Sequence, residues 1–283
     1  MRFALSYHTE YRYSEPVFDQ HNVLRVKPAS GPLQRVRGFR INVDPSARTR
    51  THRDYFGTEV IDFNIAAEHD RLAVTAEAEV TTEPAPPPPV GSWERARGEA
   101  YTNAGGEFLL RSGDEPANGA LGQLIEDARG DGPRATLEAV CQLIPERFAY
   151  SPGATFVGST VDDLLAGGAG VCQDFVHLSL ILLRRHGIAA RYVSGYLFAA
   201  PEDGGTDSVE VDTHAWVEAL LPGEADDEPS WVGADPTNRR LAGETHVKIG
   251  HGRHYGDVPP IKGVYRGAAE AEHDVSVRMT RLD

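Results

Sequence analysis

The chain has 283 residues, 40% of them hydrophobic and 25% charged, which is ordinary for a soluble protein and long enough for one large or two modest domains. Because no run of 18 apolar residues occurs and the N-terminal segment turns polar before an apolar signal region could form, we expect a cytoplasmic protein without a membrane-spanning helix. The formal charge is −14 although residues 1–60 carry +4, and the strongly acidic remainder repels phosphate backbones, which argues against nucleic acid as substrate.

Residues 1–83 are predicted to form an antiparallel, β-sandwich-like module. Apolar and aromatic side chains alternate with polar ones from Phe3 to Tyr13 and again from Leu72 to Val80, which is the period of a half-buried strand. The segment 83–89 contains five prolines. Proline can neither join the interior of a sheet nor continue a helix, so this run predicts a stiff linker at the end of the module.

A Pro- and Gly-rich linker is predicted at 84–115, followed by a second domain at 116–283. The apolar spacing predicts two helices within 116–149 and a buried helix from Cys172 that ends near Gly187. Strands are predicted at 190–198, 214–220 and 231–234, separated by acidic loops at 201–212 and 222–230. A helix packed on an antiparallel sheet is therefore expected, and the fold class is α+β.

Cys172 follows a glycine-rich turn and begins a predicted helix, in the run Gly-Gly-Ala-Gly-Val-Cys-Gln-Asp-Phe at 167–175. A thiol at a helix N-terminus lies near unpaired backbone N–H groups and the positive end of the helix dipole, and both favour the thiolate. Two later segments supply a histidine and an aspartate, which a nucleophilic thiol needs as its base and as the residue that orients this base. His214 begins a strand-like run, and Asp235 ends a short apolar one.

These segments resemble the bacterial and archaeal branch of the transglutaminase-like cysteine enzymes, which have a papain-like core and an N-terminal β domain. The resemblance covers roughly residues 145–266. The matching motifs are Gly-Val-Cys-Gln-Asp-Phe at 170–175, Arg-Tyr-Val-Ser-Gly-Tyr at 191–196, His-Ala-Trp-Val-Glu at 214–218, Asp-Pro-Thr-Asn at 235–238 and Asp-Val-Pro-Pro at 257–260. Several ordered motifs are far more specific than any one of them.

The resemblance implies a catalytic triad of Cys172, His214 and Asp235. His214 would deprotonate the thiol and pair with the thiolate, and Asp235 would hold the imidazole in the useful tautomer. The alternative is a core cysteine, a surface histidine and a strand-end aspartate that meet by chance, and three matching blocks in family order argue against it.

Five further residues are candidates for oxyanion or substrate contacts, and a structural role is the favoured interpretation or an equal alternative for each: Tyr150, Gln173, Asp174, His177 and Trp216. The backbone N–H of Cys172 is a natural oxyanion donor. Animal transglutaminases place a tryptophan upstream of the cysteine, whereas this chain has none between Trp93 and Trp216. That departure disfavours efficient amine transfer.

No cofactor and no metal are expected. His246, His251 and His254 invite a metal interpretation, but a glycine-rich spacing without a helix or paired cysteines is a weak zinc signal. Cys141 lies on an apolar helix face and is predicted to be a buried, inert thiol.

The sequence thus predicts a thiol-dependent acyl-transfer enzyme acting on peptide, isopeptide or carboxamide bonds of a peptide or protein substrate. Hydrolysis is favoured over amine transfer, because water is always present whereas transamidation needs an amine site shielded from it. The alternative from another class is a non-catalytic protein- or peptide-binding module that retains the pocket. Intact Cys172, His214 and Asp235 argue against it, since a pure binder has no need of all three.

Overall fold

The computed structural model describes residues 1–111, 118–156, 158–199, 208–211, 213–224 and 227–283. The predicted boundary between 115 and 116 lies outside these residues, as does most of the predicted loop at 201–212. Within the described ranges, no helix is long and apolar enough to cross a membrane.

Strands dominate the described residues. They are β1 (Arg2–Leu24), β2 (Gln34–Asp44), β3 (Thr49–Arg53), β4 (Glu59–Ile65), β5 (His69–Thr82), β6 (Ala149–Tyr150), β7 (Ala169–Gly170), β8 (Ala190–Leu197), β9 (Ser208–Val211), β10 (Thr213–Leu221), β11 (Ser230–Asp235), β12 (Arg240–Leu241), β13 (His246–Gly252), β14 (Ile261–Arg266) and β15 (Ala271–Arg281). The helices are α1 (Glu99–Gly105), α2 (Gly119–Asp127), α3 (Pro133–Arg147), α4 (Val161–Gly167) and α5 (Cys172–Arg185), with short 3₁₀ turns at Arg95–Arg97, Gly106–Leu109 and Tyr255–Asp257.

The N-terminal sheet is antiparallel, with the order β2, β5, β1, β15, β9, and the second half of β1 also pairs with β4 and β14. Phe3, Leu5 and Tyr7 are buried while their neighbours along β1 are more exposed, as the alternation predicts. They pack with Leu72 and Val74 of β5 in one apolar core. The predicted N-terminal β module is confirmed.

The last two strands of the chain return to this N-terminal sheet. Tyr7 of β1 pairs with Ala76 of β5 on one side and with Val277 of β15 on the other. The predicted second domain, 116–283, includes β14 and β15, whereas these two strands pair with β1 in the sheet of the first domain. Alternating apolar side chains fit a segment to a sheet without specifying which strand it pairs with.

The second sheet is antiparallel, with the order β12, β11, β10, β8, β13, and α5 packs against β10 and β8. Phe175, Leu178 and Leu182 of α5 are fully buried and share a core with Ala215 and Val217 of β10. This arrangement confirms the predicted helix on an antiparallel sheet. The predicted α+β fold class is confirmed.

The predicted linker at 84–115 is helical in part. The proline run has neither helix nor strand, but α1 and its flanking turns pack on the second sheet. The hydroxyl of buried Tyr101 donates to the carbonyl of Leu220 at 2.8 Å and accepts the N–H of Ala189 at 3.0 Å. These two hydrogen bonds fix α1 to the sheet, so the segment without helix or strand is shorter than the predicted linker.

Candidate active site

Cys172 is the first residue of α5, and local hydrogen bonds hold this helix start in place. Asp174 Oδ2 accepts the N–H of Val171 at 2.8 Å and the hydroxyl of Thr155 at 2.5 Å. The first N–H groups of a helix have no acceptor within the helix and lie at the positive end of its dipole. The thiol of Cys172 therefore lies where negative charge is stabilised. Asp174 thus holds the start of α5, and a contact of Asp174 with substrate stays a prediction.

Gly170 sets the path of the chain into α5. β7 pairs in parallel with β6, so that Gly170 lies opposite Tyr150. A Cβ atom on Gly170 would lie 2.8 Å from Asp174 Oδ2 and 2.9 Å from Leu164 Cδ1, closer than real contacts allow. Any side chain at this position would displace the carboxylate that caps the helix. Packing thus requires a glycine at position 170, two residues before Cys172.

The structure brings Cys172, His214 and Asp235 together. His214 lies on β10, Asp235 ends the neighbouring β11, and His214 Nε2 lies 2.8 Å from Asp235 Oδ2. Because Nε2 is bonded to Asp235, Nδ1 is the nitrogen that remains for Cys172, whose thiol is near enough to raise the pKa of His214. Asp235 is fully buried and the His214 side chain is 11% exposed, whereas Cys172 is half-buried. Of the three residues, Cys172 is thus the most accessible to a substrate.

Asp235 is held as a carboxylate by five hydrogen bonds. Its Oδ2 accepts from Asn238 Nδ2 at 2.7 Å, His214 Nε2 at 2.8 Å and His246 Nε2 at 3.1 Å. Its Oδ1 accepts the backbone N–H groups of Thr237 at 3.0 Å and Asn238 at 3.2 Å. Burial acts to raise the pKa of Asp235, but these donors hold it well below its usual range.

The environment of His214 favours its protonated form. Burial acts to lower its pKa, but the interactions with Asp235 and Cys172 outweigh burial and raise the pKa to about 9. His214 is therefore an imidazolium at neutral pH, placed between a carboxylate and the thiol. A protonated histidine beside a thiol is what a cysteine–histidine ion pair would require.

The contact of His246 with Asp235 was not predicted from the sequence, in which His246 is a candidate metal ligand only. The one available signal was a histidine that opens an alternating strand, as His214 also does. Asn238 was part of a matched motif, but no role was assigned to it. Both contacts depend on how β13 and the turn after β11 fold back on Asp235, which the sequence does not show.

The ligand atoms of His214, Asp235 and His246 lie within 4.8 Å of one another, a spacing that a metal ion could bridge. The same atoms are joined by hydrogen bonds, and Asp235 Oδ2 already accepts three side-chain donors. The other two histidines lie elsewhere. His251 contacts Arg191 Nη1 at 3.2 Å, and exposed His254 accepts the N–H of Gly256 at 3.0 Å.

Tyr150 and Gln173 lie close to the nucleophile along the chain or across the sheet. Tyr150 is 52% exposed, and its ring lies edge-on to Phe175 at 6.3 Å. Gln173 is half-buried in the first turn of α5. Their roles as oxyanion donors stay predictions.

Trp216 and His177 occupy packing positions. Trp216 is 2% exposed and lies edge-on to His246 at 5.2 Å, so its ring supports the histidines from inside and has little surface for a substrate. His177 Nε2 accepts the N–H of Tyr255 at 3.4 Å, and burial lowers its pKa to about 4. A neutral His177 thus holds the segment after β13 against α5.

Cys141 is 3% exposed, and its thiol donates to the carbonyls of Asp235 at 3.3 Å and Arg240 at 3.5 Å. Burial raises its pKa to about 12. The sequence prediction of a buried thiol is confirmed.

Iodoacetamide at neutral or mildly acidic pH should therefore label Cys172 well before Cys141. Cys172 is more accessible and is paired with an imidazolium, whereas Cys141 is buried and protonated. The measurement is peptide mapping after timed alkylation, in the native protein and in His214→Ala. Equal labelling of the two cysteines, or no effect of His214→Ala on Cys172, would contradict the ion pair.

Two family models match the chain. The model of the bacterial transglutaminase-like N-terminal region matches residues 3–81, and the model of the transglutaminase-like superfamily matches residues 123–236. A protein of Mycobacterium leprae is 35% identical over 285 residues, and the alignment covers 99% of each chain. This chain belongs to the transglutaminase-like superfamily. The resemblance inferred from the sequence motifs is confirmed.

The relatives of this transglutaminase-like chain differ in how far they are described. The M. leprae protein, and a Mycobacterium tuberculosis protein that is 32% identical over 98% of this chain and 91% of its own, are described only as uncharacterized. A protein-glutamine gamma-glutamyltransferase of Pseudomonas aeruginosa is 29% identical over 191 residues, which are 63% of this chain and 28% of that protein.

A solved structure from Cytophaga hutchinsonii, described as a "Putative Cysteine Protease", superimposes on all of this transglutaminase-like chain and on 92% of its own, with a TM-score of 0.77 and 20% identity. At that identity the likeness shows the fold alone. The shared fold includes the N-terminal sheet as well as the core around α5. The chain therefore shares the fold of that structure over both the N-terminal sheet and the core around α5.

Proposed function

We propose that this protein is a thiol-dependent acyl-transfer enzyme in which Cys172 is the nucleophile, His214 the general acid and base, and Asp235 the residue that orients His214. One observation carries the proposal, namely that His214 is hydrogen-bonded to the buried carboxylate of Asp235 at 2.8 Å and interacts with the thiol of Cys172. The pKa of about 9 at His214 supports it, because the imidazolium is available at neutral pH both to stabilise a thiolate and to protonate a leaving group.

In the first step, the Cys172 thiolate attacks the carbonyl carbon of a peptide, isopeptide or carboxamide bond. The carbonyl electron pair moves to oxygen, and the N–H groups at the start of α5, beginning with that of Cys172, are the natural donors to this oxyanion. The intermediate collapses when the C–N bond breaks and the leaving amine takes the proton of His214. An acyl thioester on Cys172 and a neutral His214 remain.

In the second step, His214 takes a proton from water, and the resulting hydroxide attacks the thioester carbonyl. The C–S bond breaks, the carboxylic product leaves, and the thiolate and imidazolium are restored. An amine could replace water at this step and form a new amide. We favour hydrolysis, because Cys172 is half-buried and water can approach it, whereas amine transfer needs a site from which water is excluded.

The test is mass spectrometry of the protein after incubation with a library of glutamine-containing peptides, quenched with acid to preserve the thioester. We expect an acyl adduct on the peptide containing Cys172. A mass equal to the donor peptide less ammonia identifies a carboxamide donor, and a peptide fragment identifies cleavage of the backbone. Adding hydroxylamine converts the thioester to a hydroxamate and measures turnover. Absence of any adduct, together with free-thiol reactivity of Cys172, would favour a binding module instead.

The rate of turnover should fall as the pH rises through about 9, because acylation needs the proton on His214. The contribution of the His214–Asp235 pairing to the stability of the protein should also decrease as the pH rises. Its folded pKa is raised, so the contribution is complete below the unfolded value near 6.5 and is lost as the pH rises through about 9. The measurement is a pH profile of hydroxamate formation, with urea unfolding at each pH as the control. A rate that keeps rising above pH 9 in the folded protein would contradict the assignment.

A further inference from the structure

We propose that His246 is a positioning residue that fixes the Asp235 carboxylate against His214 through its own hydrogen bond to Oδ2. The inference rests on the acyl-transfer function proposed above. His246 lies at the start of β13, and its side chain is 2% exposed, so it is enclosed behind the triad and cannot touch substrate. Its action on the reaction therefore passes through Asp235.

The hydrogen bonds of His246 determine its tautomer. Its Nδ1 accepts the backbone N–H of Gly243 at 3.2 Å, and the backbone N–H of His246 donates in return to the Gly243 carbonyl at 2.9 Å. Nδ1 is therefore the acceptor and Nε2 carries the hydrogen, which points to Asp235 Oδ2 at 3.1 Å. The edge-on ring of Trp216 at 5.2 Å supports the same orientation from another side.

The two histidines that share Asp235 Oδ2 differ in charge. The charged or titratable groups that face His246 are Asp235, His214 and Arg240. Burial lowers the pKa of His246, with His214 and Arg240 acting in the same direction against Asp235, while the pKa of His214 is raised. His246 is therefore a neutral donor, and the single proton that moves in catalysis is on His214.

As a neutral donor to Asp235 Oδ2, His246 restrains the orientation of the carboxylate. Together with Asn238 Nδ2 at 2.7 Å, His246 prevents the carboxylate from turning away from His214, without adding a second positive charge that would compete with it. If the carboxylate turned away, burial, which is the largest influence on His214, would lower the pKa of His214 and remove the imidazolium.

Two variants of similar volume separate hydrogen-bond donation from packing. In His246→Gln the side-chain amide can still donate to Asp235 and accept from Gly243, whereas His246→Met fills the space without a donor. The probe is iodoacetamide, and the rate of Cys172 alkylation is measured against pH by peptide mapping. In the native protein we expect an upper inflection near pH 9, where His214 loses its proton. It should move to lower pH by about one unit in His246→Met and stay in place in His246→Gln.

Turnover of a donor peptide found with the peptide library provides the second readout. It should fall about 10–100-fold in His246→Met with KM unchanged, and His246→Gln should recover most of that loss. The matched control is His251→Met, which replaces another histidine of β13 that contacts Arg191 and lies outside the triad. It should leave both the inflection and the turnover as in the native protein.

The outcomes distinguish this inference from the function on which it rests. An unshifted inflection in His246→Met, or equal shifts in the Met and Gln variants, would overturn the role of His246 and leave the triad intact. Unfolding of both variants, seen by circular dichroism, would make His246 a residue of the fold alone and would also overturn the inference. A native profile with no inflection that depends on His214 would overturn the proposed function itself.

Discussion

Replacing Cys172 by alanine is expected to abolish acyl transfer and leave the protein folded. The thiol supplies the covalent bond of the reaction, so the rate should fall by about 10⁴-fold or more. Cys172 is half-buried at a helix start, and the loss of one sulfur atom there should change the melting temperature by no more than about 4 °C. The measurements are hydroxamate formation and thermal unfolding of the two proteins.

Cys141→Ser is the matched control for this change. The serine hydroxyl can still donate to the carbonyls of Asp235 and Arg240, so this variant should keep its activity. If Cys172→Ala retains turnover, another residue is the nucleophile. If it unfolds, Cys172 is a residue of the fold and the activity measurement carries no mechanistic meaning.

The strands were predictable where one face is buried and one exposed, as in β1 and β5, because burial on one face imposes a period of two. The pairing of these strands could not be predicted from the sequence. β15 lies beside β1 although nearly the whole chain separates them, and nothing in the alternation of Val277 and Met279 names that partner. The helix α1 was assigned to a linker because prolines and glycines surround it. Its position depends on the two hydrogen bonds of Tyr101, which only the folded sheet provides.

The residues of the candidate site divide in the same way. Cys172, His214 and Asp235 each lie in a local motif whose residue types suit one chemical role, so sequence could indicate them. The partners of Asp235 are set by the tertiary fold. His246 contacts Asp235 although β10 and β8 separate β13 from β11 in the second sheet. The chain passes from β12 at one edge of this sheet to β13 at the other, and no short motif encodes that path.

Asp235→Asn is expected to slow the reaction by about 10³–10⁴-fold and also to destabilise the protein. An amide cannot satisfy all the donors around Asp235. If its oxygen faces His214 and His246, its NH₂ group meets the backbone N–H groups of Thr237 and Asn238, and the opposite orientation leaves both histidine donors unpaired. Unpaired buried donors and the lost charge should lower the free energy of unfolding by about 3 kcal/mol at neutral pH.

The pH dependence of the loss of stability in Asp235→Asn shows whether the Asp235 charge causes that loss. The pKa of Asp235 is depressed in the folded protein, so its contribution is complete above the unfolded value near 3.9 and is lost as the pH falls through the folded value. The gap in urea stability between the native protein and Asp235→Asn should therefore narrow as the pH is lowered below about 4. Asp257→Asn is the control, since Asp257 accepts the N–H of Arg253 at 2.9 Å outside the triad and should keep the activity. If Asp235→Asn turns over at the native rate, Asp235 has no catalytic role. The orientation of His214 by Asp235 would then not be needed for the step that limits turnover.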